Sequence, residues 1–119
     1  MKEDNVIASK TYAFGLRIVK LYVHLKSNKV DLALCSQLLR CGTSIGANVE
    51  EAMGGSSRKD FKHKLEIAYR EARETKYWLR LLNDSAILEN KLALSLITDC
   101  DELLKILTAI LNTVKEKGD

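Results

Sequence analysis

At 119 residues, with 46% hydrophobic side chains, the chain is long enough for one packed core and too short for two domains. A net charge of +3 is too small for charge alone to mark a nucleic-acid binder, and no run approaches the ~20 apolar residues of a membrane span. The absence of proline, the few glycines and the lack of sustained alternation exclude a sheet protein and predict an all-α chain, residues 1–119 forming a single domain.

The opening Met1-Lys2-Glu3-Asp4-Asn5 carries acids and leads into no long apolar segment, so no secretory signal is expected and the protein is expected to be cytoplasmic. A first helix is predicted over about 10–27, with Ser9 as its cap. Tyr12, Gly15, Val19 and Tyr22 make one line along it, and Phe14, Ile18, Leu21 and Leu25 a second.

Ser27-Asn28-Lys29-Val30 breaks the pattern, and Asp31 is placed to cap a second helix over 31–53. Leu34, Leu38, Cys41, Ile45, Asn48 and Ala52 follow alternating steps of four and three, which puts them on one line. Cys35, Leu39, Gly42, Gly46, Val49 and Met53 repeat those steps one residue on. A helix with so wide an uncharged face must be covered on two sides. Gly42 and Gly46 each cost about 1 kcal/mol against alanine in a helix interior, and are expected to admit a neighbouring backbone. Gln37, Arg40, Ser44, Asn48 and Glu51 form a polar ladder, with Asn48, on the apolar line, expected to fix register.

Gly54-Gly55-Ser56-Ser57 ends that helix, and Ser57 with Asp60 forms the capping signature of a third over 58–83. Phe61, Leu65, Ala68, Ala72, Thr75, Leu79 and Leu82 form its core seam. Beside the seam runs a second line, Lys59, Lys62, Glu66, Tyr69, Arg73, Lys76 and Arg80, thickened by Arg58, His63 and Arg70. A rigid basic row with one aromatic suits successive phosphates and a stacked base, which makes Lys59, Lys62, Tyr69, Arg73, Lys76 and Arg80 candidate nucleic-acid contacts. The competing reading is a solvated face whose lysines pair with nearby acids. On the opposite flank Glu71 and Glu74 are expected to answer Arg40 or Arg73 across a helix contact, and Trp78 to anchor a core or an interface.

Asn83-Asp84-Ser85 opens the last connection, and a fourth helix is predicted over 89–117, before Gly118. Its Leu96, Cys100, Leu103, Leu107, Ile110 and Val114 form one line, flanked by Ile97, Leu104 and Leu111. Four amphipathic segments with short connections predict an antiparallel up-and-down four-helix bundle. The double stripes on helices 1, 2 and 4 exceed what one bundle covers, which predicts a homo-oligomer.

Arg40, Ser44-Ile45, Asn48 and Glu51-Ala52, followed by Glu71-Ala72-Arg73-Glu74 and Tyr77-Trp78-Leu79, closely resemble the small four-helix-bundle proteins encoded within intervening sequences of bacterial 23S ribosomal RNA genes. The resemblance runs from about Tyr12 into the last helix and is most specific in the middle two. It implies a ring-like homo-oligomer, a homopentamer, because related bundles form five-membered rings. A similar bundle, the accessory variability determinant of diversity-generating retroelements, works with a reverse transcriptase and nucleic acid. The resemblance therefore implies RNA or DNA, and a reverse transcriptase or another protein, as partners.

Groups that would converge on a reaction are missing from the pattern. His24 and His63 stand alone, outside any metal spacing, and Cys35, Cys41 and Cys100 lack paired spacing and read as buried thiols. No phosphate-cradling loop follows Gly54-Gly55, and Glu50, Glu51, Glu71 and Glu74 come without a Glu-x-x-His partner. No catalytic residue, metal, cofactor or small-molecule substrate is expected, and the protein is expected not to be an enzyme. The function expected is a non-catalytic homo-oligomeric adaptor for structured RNA or another nucleic acid. The alternatives are a protein-interaction scaffold and a passenger of a ribosomal RNA insertion.

Overall fold

The computed structural model describes residues 2–117, and among them the chain forms four helices and no strand: α1 Lys2–Ser27, α2 Leu32–Met53, α3 Arg58–Asp84 and α4 Asn90–Glu116. Side chains close the starts of α2 and α3. The Asp31 carboxylate accepts the Ala33 N–H at 2.9 Å, and the Ser57 hydroxyl accepts the Asp60 N–H at 3.0 Å, each satisfying an amide that the helix leaves unbonded. After α1 and α3 the chain turns through a residue in the left-handed region, Lys29 and Ala86, each with φ 61°. These turns return Val30 N–H to the Leu25 carbonyl at 3.0 Å and Ile87 N–H to the Leu82 carbonyl at 3.1 Å.

Connections of four or five residues reach at most ~18 Å, well short of the ~33 Å that a 22-residue helix spans. Consecutive helices that pack together must therefore run antiparallel. Each helix packs on its chain neighbours, α4 closes more lightly on α1, and the backbones of the diagonal pairs stand farther apart. The result is a four-cornered rod of 47 × 21 × 19 Å.

The core follows the four-three lines, with a choice on α1 and on α2 that the sequence left open. On α3, Leu65, Ala68, Ala72, Thr75, Leu79 and Leu82 are buried, and on α4 the whole line from Leu96 to Val114 is buried together with Ala93. On α2 the buried set, Cys35, Leu38, Cys41, Gly42, Ile45, Val49 and Ala52, winds between the two lines. On α1 the buried line is Ile7, Thr11, Phe14, Ile18, Leu21 and Leu25. Each fully buried leucine or isoleucine on these lines contributes roughly 1.5–3 kcal/mol of transfer free energy.

One expectation is corrected. Helix α1 begins at Lys2, so Ser9 lies inside it and caps nothing. The reason is that Ile7 and Thr11 extend the Phe14 line backwards without a break, and Thr11 joins it by donating its hydroxyl to the Ile7 carbonyl at 2.8 Å. Asn48 bonds within its own helix. It is half-buried, and its amide donates to the Ser44 carbonyl at 2.8 Å, one turn back on its own helix. The other helix ends fall within a residue of expectation, and Gly118 lies outside the described residues.

Helix α1 rests on the glycines of α2. A Cβ at Gly46 would stand 3.2 Å from the Thr11 carbonyl oxygen, and one at Gly42 would overlap Ile18. Outside this contact a second line of α1, Tyr12, Leu16, Val19 and Val23, is exposed, Tyr12 at 65% and Val23 at 61%. With Ala8, Gly15, Gly46 and Ala47 its first three residues line an apolar groove of about 350 Å³ between α1 and α2. Among the described residues no helix is long and apolar enough to cross a membrane.

The three cysteines are buried free thiols. Cys100 approaches the Ala72 carbonyl at 3.2 Å and so bridges α4 to α3. Burial pushes the Cys41 thiol up to about 11 and the Cys100 thiol up to about 12, which keeps both protonated and unreactive near neutrality.

Candidate nucleic-acid interface

The seam of α3 turns inward, so the basic line beside it falls on the flank facing α4. Lys59, Arg70, Arg73 and Arg80 are exposed on α3, and Lys62, Tyr69 and Lys76 are half-buried. The predicted set does not gather at one place. Tyr69, Arg73, Lys76 and Arg80, joined by Tyr77 and by Leu104 of α4, line a cleft of about 340 Å³. Lys59 and Lys62 stand nearer the start of α3, Lys62 lying ~10 Å along the helix axis before Tyr69. The cleft continues into a broader groove of about 740 Å³, where α4 adds Asp101, Lys105, Thr108 and Asn112.

Charge in the cleft is unevenly compensated. The Lys76 ammonium meets the Asp101 carboxylate at 2.7 Å, which ties α3 to α4 and cancels one positive charge. The Arg73 guanidinium lies 3.5 Å from the Tyr69 hydroxyl, the outer limit of a hydrogen bond. Among the described residues no carboxylate pairs with Arg73 or Arg80.

A polar cluster behind the cleft explains why Arg73 is left there. Arg40 of α2, rather than Arg73, answers both glutamates of α3. It donates from Nη1 to Glu71 Oε2 at 3.1 Å and from Nη2 to Glu74 Oε2 and, at 3.3 Å, to Gln37. Glu74 also accepts the Trp78 indole N–H at 3.2 Å. The Trp78 ring, half-buried against the core, meets Tyr77 edge-on with centroids 5.9 Å apart. Arg40, Glu74, Trp78 and Tyr77 thus connect α2 to the cleft wall. The rest of the expected ladder separates from this cluster. Ser44 donates to the Arg40 carbonyl at 2.6 Å, and Glu51 pairs with Lys64 at 2.9 Å, a bond that raises the lysine's pKa.

Tyr77, Leu104 and Lys105 were not among the candidate contacts. Tyr77 carried a signal, since it stands four residues after Arg73 and three before Arg80. Leu104 and Lys105 carried none, because they reach the cleft only through the packing of α4 on α3. Among the described residues no three His, Cys, Asp or Glu side chains converge as a metal ion would require.

The four-helix bundle thus carries an apolar α1–α2 groove on one side and a basic, aromatic α3–α4 cleft on the other. The chain belongs to the 23S rRNA-intervening sequence protein family, whose model matches residues 3–109. It is similar to a protein of unknown function of the S23 ribosomal protein family from Bacteroides thetaiotaomicron VPI-5482, seen in a crystal structure. The two share 42% identity over 92% of this chain and 98% of that one, with a TM-score of 0.89. No curated protein matches the chain.

Proposed function

We propose that the protein is a non-catalytic, homo-oligomeric adaptor that binds RNA through the α3–α4 cleft. The observation that carries this reading is the placement of Arg73 and Arg80, without acidic partners among the described residues, in one cleft with Tyr69 and Tyr77. Guanidinium groups suit phosphate bidentately, and tyrosine rings stack on bases without regard to sequence. The family's name ties it to ribosomal RNA genes, which favours RNA over DNA as the first ligand to test.

Assembly supports the same reading. The exposed Tyr12-Leu16-Val19-Val23 line and the groove beside it offer an apolar face for further copies of the chain. A ring would repeat the α3–α4 cleft around its circumference, and modest affinity per subunit would multiply through effective concentration.

The test is charge reversal where no ion pair is broken. Arg73→Glu with Arg80→Glu should abolish RNA binding while helical content and assembly stay unchanged. Unchanged affinity in a folded double variant would overturn the reading. A protein-interaction scaffold is the second reading, favoured by the mixed signs that Lys76, Asp101 and Glu66 place on this face. It predicts no affinity for RNA even at low salt.

A further inference from the structure

On α3, Tyr69, Arg73, Tyr77 and Arg80 alternate aromatic and cation at steps of four, four and three. At 100° per residue these positions share one arc of ~80° and rise ~6, 6 and 4.5 Å in turn. The attachment points of the two rings therefore stand ~12 Å apart and those of the two guanidinium groups ~10.5 Å apart along the axis, intervals of similar length. Leu104 supplies an apolar floor between the helices.

A duplex does not use such a surface. Its bases are stacked inside, and it presents phosphates to a helix flank, so the rings and the floor would gain nothing from it. An unpaired strand offers a base face and a phosphate at each step, in the alternation that α3 repeats. Charge points the same way. With Lys76 tied to Asp101, the cations of the cleft and its extension without an acidic partner among the described residues are Arg73, Arg80 and Lys105, too few to hold a strand by phosphate contacts alone. Tyr77 is 54% exposed and held from behind by Trp78, so its ring is open to a ligand and fixed in direction.

Resting on the nucleic-acid reading above, we infer that the α3–α4 cleft is a site for unpaired nucleotides, with a base stacked on Tyr77 and the flanking phosphates on Arg73 and Arg80. The protein then selects single-stranded segments and loops over duplex. Its affinity should fall with salt along a shallow slope, about −2 in log–log form for three phosphates of a single strand.

The experiment is an anisotropy titration of the full chain with a short labelled oligoadenylate and with a blunt RNA duplex of equal length. Emission of Trp78, the sole tryptophan, is followed in parallel. Oligoadenylate should bind at least tenfold more tightly than duplex and change Trp78 emission, and the duplex should not change it. Tyr77→Leu should lose roughly tenfold in affinity for oligoadenylate, and Tyr77→Phe should retain it. Equal or tighter binding of duplex, or full affinity in a folded Tyr77→Leu, would overturn this inference and leave the nucleic-acid reading standing. Binding of neither probe would overturn both. The Trp78 signal of the unaltered protein decides the matter even if the leucine variant fails to fold.

Discussion

Ile18 on α1 occupies the space that Gly42 on α2 leaves empty: a Cβ at Gly42 would stand 2.8 Å from both Cγ1 and Cγ2 of Ile18. Ile18 is fully buried and branched at Cβ, so it has little freedom to swing aside. Gly42→Ala should therefore destabilise the fold by about 1–3 kcal/mol, outweighing the gain of about 1 kcal/mol in helix propensity. In an Ile18→Ala background the same substitution should become stabilising. Urea unfolding of the four proteins measures the coupling, and a stabilising Gly42→Ala in the unaltered background would contradict the packing described.

Arg40 holds two carboxylates of α3 from α2, but its side chain is 50% exposed and water screens the interaction. Arg40→Ala should cost about 1 kcal/mol, less at high salt. Arg40→Lys should recover only part of that, since an ammonium cannot reach Glu71 and Glu74 with a planar fork. Trp78 emission should shift in the alanine variant, because Glu74 loses the cation that fixes it beneath the indole. Identical stability of the lysine variant and the unaltered protein would remove the case for the fork.

The buried thiols give stability a dependence on alkaline pH. Unfolded cysteines titrate near 9.0, whereas folded Cys41 and Cys100 hold their protons to about 11 and about 12. Between these limits the unfolded state binds fewer protons, so stability is full below pH 9 and falls as pH rises. The decline reaches roughly 1.4 kcal/mol per pH unit for each thiol and ends above the folded values. Cys100→Ala should flatten that decline relative to the unaltered chain. Parallel pH profiles for the two proteins would contradict the assignment.

Leu16 and Val19 lie centrally on the exposed line of α1. A carboxylate introduced there should cost a monomer little and an interface much. Light scattering should give an oligomer for the unaltered chain and a helical monomer for Leu16→Glu with Val19→Glu. An oligomer of unchanged mass would move the interface elsewhere.

The seam of α3 was legible because it is one line wide between charged flanks, and that of α4 because its line from Leu96 to Val114 runs unbroken. On α1 and α2 two adjacent lines are apolar, and periodicity cannot say which faces inward. The structure buries the Phe14 line of α1 and leaves Tyr12 and Val19 outside. For Asn48, its place on an apolar line did not show the carbonyl of Ser44, one turn back, as its partner. Of the candidate site, Tyr69, Arg73, Lys76 and Arg80 could be read from spacing on α3, whereas Lys59 and Lys62 fell outside the cleft and Tyr77 was missed. The compensation of Lys76 by Asp101 and the floor at Leu104 could not be read from spacing, because they arise where α4 meets α3.

The most direct test is binding of the purified protein to a structured RNA with unpaired loops and to a duplex DNA, titrated from low to physiological salt. Binding of the RNA should persist near physiological ionic strength, weaken with salt, and be lost in the Arg73→Glu, Arg80→Glu variant. No binding to either nucleic acid at low salt would contradict it and would make the α3–α4 face a solvated surface or a site for a protein partner.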